Sequence, residues 1–155
     1  TPAYIMAAAQ GAGLPLNVRA ETHGNRHGFT TGYESVLCAK ELFGMAGIEP
    51  KDVDVVQIYD HFIPWVIMAL EDYGFCKKGE GGPFVASGAI EYGKGHLPMN
   101  TSGGHLSEAY IHGHNHILEG VRQIRGTSTS QVANAEISMV TSAQGGPTSA
   151  IILRK

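Results

Sequence analysis

Three short stretches hold the side chains best suited to chemistry. VVQIYDHF, at 55–62, ends an apolar run with Tyr59, Asp60 and His61 in succession. NTSGGHLSEAYIHG, at 100–113, sets Asn100, Gly103, Gly104 and His105 ahead of Tyr110. VTSAQGGPTSAIIL, at 140–153, puts Thr141 before a glycine-containing turn. A phenol with its ordinary pKa of about 10 mainly donates a proton or a hydrogen bond near neutrality, where an imidazole works as both acid and base. Tyr59 and Tyr110 are therefore donors first, and bases only in a tuned environment. Asp60 and His61 are placed to tune them.

Other candidates carry less. His112 and His116 stand four apart, as in a zinc-binding H-E-x-x-H helix, but Gly113 follows His112 where the general-base glutamate belongs. No third ligand follows at a recognisable spacing, so no metal is expected. The glycines of KKGEGGPF do not form a phosphate-cradling loop. Cys38 and Cys76 read as a packed helix cysteine and a loop cysteine, a pair that suits a reducing cytosol. His105 reads either as a pocket histidine or as a half-exposed loop residue.

These side chains need strands and helices to bring them together. Tyr4 to Ala9 is an apolar run between Pro2 and Gly11, hence a buried strand. Residues 11–32 have no clean period and read as a long loop. Tyr33 to Ala46 has helical spacing and stops at Gly47. VDVVQIY is a second strand, and Ile63 to Tyr73 a second helix with Pro64 in its first turn. Residues 74–95 are irregular, with a short hairpin expected around Phe84 to Tyr92. A further helix is expected from Gly104 to about Arg125, with Leu106, Tyr110, Ile117, Val121 and Ile124 on its apolar face. Gln131 to Thr141 and Thr148 to Leu153 read as strands around AQGGP. Alternating helices and buried strands predict one α/β layered domain over 1–155, with helices packed on a mixed five-stranded sheet closed by an antiparallel pair.

Bulk properties narrow the function. A chain of 155 residues is long enough for one core. Its net charge of −3 offers no basic surface for nucleic acid and no polybasic membrane anchor. The longest strong apolar run, WVIMAL, is far short of a membrane span. The start at Thr1 lacks the basic head of a signal peptide and goes straight into a strand, as expected of the C-terminal part of a longer cytoplasmic protein.

The three stretches together resemble the C-terminal half of the thiolase superfamily, over nearly the whole chain. NTSGGHLSEAYIHG reads without a gap against N-x-x-G-G-x-L-S-x-G-H-P-x-G, with Asn100, Gly103, Gly104, Leu106, Ser107 and Gly113 matching. Tyr110 falls where thiolases keep a catalytic histidine. VVQIYDHF resembles N-E-A-F or H-D-A-F, with Tyr59 at the position that orients a catalytic water. VTSAQGGPTSAIIL resembles C-x-G-G-G-x-G, with Thr141 replacing a proton-shuttling cysteine and Gly145 kept. All the catalytic positions expected in this half are thus exchanged, two of them for tyrosine. That combination resembles the lipid-transfer-protein-type thiolase-like aldolases of steroid side-chain degradation.

The resemblance implies retro-aldol cleavage of a bulky β-hydroxyacyl-CoA, releasing a ketone and a short acyl-CoA. Tyr59 and Tyr110 would share the roles of base and donor, in an order left open. Asp60, His61, Asn100, Gly103, Gly104, His105 and Thr141 would support them. It also implies a CoA thioester as substrate with no cofactor, a homodimer of the full chain, and an OB-fold partner protein carrying a zinc ribbon. Two alternatives stand beside it. One is a thiolase or acyl-CoA acyltransferase whose nucleophilic cysteine lies in the N-terminal half. The other is a non-catalytic lipid-binding or scaffold subunit.

Overall fold

The computed structural model describes residues 1–12, 33–106, 108, 111–142 and 147–155. The expected loop over 11–32 lies almost entirely outside the described residues. Strand β1 (Tyr4–Gly11) leads to helix α1 (Tyr33–Ala46). A 3-10 turn at Pro50–Asp52 then precedes β2 (Val55–Gln57). Helices α2 (Ile63–Asp72), α3 (Gly81–Ala86) and α4 (His114–Arg125) follow, and β3 (Ile137–Thr141) and β4 (Thr148–Arg154) close the chain. Among the described residues no helix is long and apolar enough to cross a membrane.

The strands form one mixed sheet in the order β1-β4-β3-β2. β1 and β3 both run antiparallel to β4, whereas β2 runs parallel to β3 with Gln57 opposite Val140. Alternation along β3 and β4 sends Met139 and Ile152 to one face and Val140 and Leu153 to the other. The first face is the main core, where Cys38 and Leu42 of α1 and Val66 and Leu70 of α2 meet the sheet. Burying an aliphatic side chain of that size contributes about 1.5–3 kcal/mol. The second face is smaller: Ile124 and Val121 of α4 pack on Val140 and Leu153.

The α/β layered fold is as expected, with four strands rather than five among the described residues. In place of the expected 84–92 hairpin there is the short helix α3 followed by turns. A single parallel bridge, Val56 to Met99, occurs at the outer edge of β2 instead. α4 starts at His114 rather than Gly104, because Gly103, Gly104, His112 and Gly113 all have positive φ and break helical continuity. β3 is shorter than expected because Gln131 and Val132 bond to Gln123 instead of joining the sheet.

Candidate active site

The site is built at the carboxyl ends of the parallel strands β2 and β3, where open α/β sheets usually present their ligands. Past Gln57 the chain leaves the ladder, and Asn100 takes over the pairing. Its Oδ1 accepts from the Ile58 N–H at 2.8 Å and its Nδ2 donates to the Ile58 carbonyl at 3.0 Å. Asn100 adopts a left-handed φ of 48° to do this. It thereby splices the 100–106 segment onto the end of the strand.

Asp60 secures the other end of that segment. Its Oδ1 accepts from the His105 N–H at 2.7 Å and its Oδ2 from the Leu106 N–H at 3.4 Å. His116, on the first turn of α4, brings Nε2 to within 3.2 Å of the same Oδ1. Gly104 makes the approach possible: its φ is 82°, and a Cβ there would lie 2.4 Å from Asp60 Oδ2. The buried Asp60 carboxylate is thus occupied in holding backbone and imidazole.

The Tyr59 ring is buried between these pieces. Its hydroxyl lies 3.3 Å from His105 Nε2, and the two ring centroids are 4.7 Å apart. His61 stands 5.1 Å from the Tyr59 ring, centroid to centroid, with its Nδ1 3.4 Å from the Tyr59 carbonyl. His116 closes the cluster at 6.2 Å from both the Tyr59 and His105 rings. Gly113, with φ 83°, packs so tightly that a Cβ would meet Tyr59 Cδ2 at 2.8 Å. Burial pushes the His116 imidazole below its ordinary pKa, and the neighbouring Asp60 carboxylate only partly restores it. Neutral His116 therefore donates Nε2–H to Asp60, a tautomer inferred from the network. Its Nδ1 has no partner among the described residues.

The structure brings Tyr59, Asp60, His61, Asn100, Gly104 and His105 together, with Gly103 in the same turn. Thr141 ends β3 on the same side of the sheet, beside Gly113. It lines a separate cavity of about 80 Å³ with His112, Gly113, Ile117, Ala150 and Ile151. Tyr110 and Ser107 lie outside the described residues, as do the turn residues 143–146. Cys38 is packed away in the core, its thiol directed to the Ala9 carbonyl. His114 directs Nδ1 to the Ile111 carbonyl at 2.8 Å, while His116 faces inward to Asp60. Among the described residues no group of three or more His, Cys, Asp or Glu is arranged to hold a metal ion.

Hydropathy did not single out the inner face of α4. Ile117, expected there, is exposed, and His116, Glu119 and Gln123 are buried in its place. Glu119 Oε1 accepts from Thr101 Oγ1 at 2.5 Å, Ser128 Oγ at 2.7 Å and Gln123 Nε2 at 2.9 Å. Gln57 Nε2 donates to the same Thr101 hydroxyl at 3.1 Å, tying β2, the 100–106 turn and α4 into one network. The i, i+3, i+7 spacing of His116, Glu119 and Gln123 was the available signal. It marks one helix face, but polar residues on one face ordinarily signify solvent.

Residues 16–153 match the family model described as thiolase C-terminal domain-like. The 17-hydroxy-3-oxo-4-pregnene-20-carboxyl-CoA lyase of Mycobacterium tuberculosis is 52% identical over 120 residues, covering 77% of this chain and 31% of that protein. The steroid side-chain-cleaving aldolase of Thermomonospora curvata is 43% identical over 152 residues, covering 98% of this chain and 38% of that protein. Among solved structures, the Ltp2-ChsH2(DUF35) aldolase superposes with a TM-score of 0.90 at 44% identity, covering 99% of this chain and 39% of that one. The chain thus spans well under half the length of each of these relatives.

Proposed function

Because the chain belongs to the thiolase C-terminal domain-like family, we propose that the complete protein is an aldolase of that superfamily, cleaving a bulky β-hydroxyacyl-CoA of the steroid side-chain type. Retro-aldol cleavage removes the β-hydroxyl proton and moves the Cα–Cβ electron pair to the α-carbon as a thioester enolate, leaving a ketone. It needs a base at the hydroxyl and donors at the thioester oxygen where charge grows. Tyr59 and Tyr110 share those two tasks. Asp60, Asn100 and the Gly103-Gly104 turn hold the frame around Tyr59, His61 flanks it, and Thr141 lines the adjoining cavity.

One observation carries this reading. The phenol of Tyr59 is hydrogen-bonded to an imidazole inside a cluster of proton-handling groups. Such a cluster can move a proton to and from a substrate oxygen, which is what retro-aldol cleavage requires. Exposed Phe62, Ile63 and Leu106 directly follow or flank the cluster in the chain and supply apolar surface for a bulky acyl group.

In this reading the full chain forms a homodimer and works with an OB-fold, zinc-ribbon partner. The resemblance supports both, and the two-component name of the solved aldolase supports a partner protein alone. The substrate is the CoA thioester itself, with no further cofactor, and the free thiols suit the cytoplasm. The test is to incubate the full-length protein, assembled with its partner, with β-hydroxyacyl-CoA in the absence of free CoA. Ketone and shorter acyl-CoA should appear. An obligatory requirement for free CoA would identify thiolytic chemistry and overturn the proposal.

A further inference from the structure

We propose that His105 is the proton partner of Tyr59: as the phenol oxygen takes the β-hydroxyl proton of the substrate, the phenol's own proton passes to His105 Nε2. The inference rests on the aldolase reading and assigns Tyr59, rather than Tyr110, the role of base.

The geometry is specific to this pair. Tyr59 Oη and His105 Nε2 are 3.3 Å apart with both side chains buried, and hydrogen bonds of this kind are often long before substrate binds. His105 is fixed through its own backbone N–H, which Asp60 Oδ1 accepts at 2.7 Å. The imidazole therefore projects from a clamped point rather than a free loop. Gly104 alone permits that clamp, since any side chain there would strike the Asp60 carboxylate.

A phenol near its ordinary pKa of about 10 is a weak base in neutral water. Moving its proton to the His105 imidazole in the same step avoids forming a free phenolate. The substrate O–H bond breaks as a new phenol O–H forms, and the original phenol O–H breaks as His105 Nε2–H forms. The carbonyl π bond forms as the Cα–Cβ bond breaks, placing its electron pair on the enolate. The proton then returns through the same two groups to the α-carbon. The hydroxyl proton is replaced by one on carbon, and no further reactant is required.

The surroundings suit a transient imidazolium. Two carboxylates stand close in the structure: Asp60 accepts from the His105 backbone N–H, and Glu108, whose own N–H donates to the His105 carbonyl at 3.1 Å, accepts from Asn115 Nδ2 at 2.8 Å. From α4, His116 approaches to 6.2 Å between ring centroids, and burial lowers its pKa, which disfavours an opposing charge there. His61 flanks the phenol rather than His105.

The experiment compares Y59F, H105Q, H105N, H116N and the Y59F/H105Q double variant in the full-length, partner-bound protein. It measures kcat and KM for β-hydroxyacyl-CoA cleavage across pH. Each of Y59F and H105Q should lower kcat about 100-fold or more, with KM changed far less. The double variant should be no worse than either single one, because the pair acts as a unit. The acid-side fall in kcat should vanish in H105Q and persist in H116N. H105N supplies the same readouts if H105Q misfolds. Near wild-type turnover in a folded His105 variant, fully additive losses, or an acid limb unchanged without His105 would each overturn the pairing while the wild type still cleaves substrate. A wild type that cleaves nothing without free CoA would overturn the aldolase reading and this inference together.

Discussion

The Asp60 carboxylate accepts a hydrogen bond from the backbone N–H of His105 at 2.7 Å, across 45 residues of sequence. Through that bond the end of a strand dictates where a glycine-rich turn stands. The side chain that follows Tyr59 in the chain thereby sets the position of the imidazole facing Tyr59.

Removing the phenol of Tyr59 separates chemistry from packing. Y59F keeps the ring against Gly113 and loses the hydroxyl. The fold should melt within a few degrees of wild type, while kcat drops about 10²- to 10⁴-fold. Ketone release and thermal melts measure the two effects. Wild-type turnover in Y59F would remove the phenol from the reaction.

Gly104→Ala tests the clamp. It places a methyl group 2.4 Å from Asp60 Oδ2 at a φ that side chains rarely adopt. Relief requires the turn to swing away, so stability should fall by about 1–3 kcal/mol and kcat should fall with it. Denaturant midpoints and steady-state kinetics check this. An alanine variant of unchanged stability would show that the turn has room to spare.

The buried His116 should make the fold sensitive to acid. Its folded pKa lies below the ordinary 6.5, chiefly through burial. As pH falls through about 6.5 the unfolded chain gains a proton that the folded chain resists. Stability is therefore complete above that range and declines below it. Between about pH 7 and pH 5 the melting temperature of H116N should fall less than that of wild type. Equal slopes would mean that other groups set the acid response.

Glu119 is buried and accepts from three donors, those of Thr101, Gln123 and Ser128. Glu119→Ala removes the acceptor for the Thr101 and Ser128 hydroxyls, leaves Gln123 Nε2 only its other acceptors and opens a cavity, at a cost of about 2–4 kcal/mol. Thr101→Val should cost less, because it removes one hydroxyl and preserves volume. Urea titration ranks the two. A Glu119→Ala change below about 0.5 kcal/mol would indicate that water replaces the lost bonds.

The elements with strong periodicity were legible in the sequence. Tyr33–Ala46 matches its expected helix at both ends, and the last strand begins at Thr148 as expected. The cluster at Tyr59, Asp60, Asn100, Gly104 and His105 was legible from residue type and motif. The roles of Asn100 and His116 were not. Asn100 forms strand-like bonds with a side chain, which no backbone periodicity reports. His116 and Glu119 lie on an inward helix face whose partners are other polar groups, so hydropathy found Val121 and Ile124 but missed these two and placed exposed Ile117 inside. The expected hairpin at 84–92 failed because its residues pack against the main core as a helix and turns.

Asn100 at one end and Asp60 at the other pin the 100–106 turn to the same three residues, Ile58 to Asp60. Strand end and turn therefore travel as a single rigid unit when the protein breathes. Neither tether uses the phenol or imidazole that it positions. A lineage could exchange those tips one at a time, changing the reaction performed while the supporting skeleton stays intact.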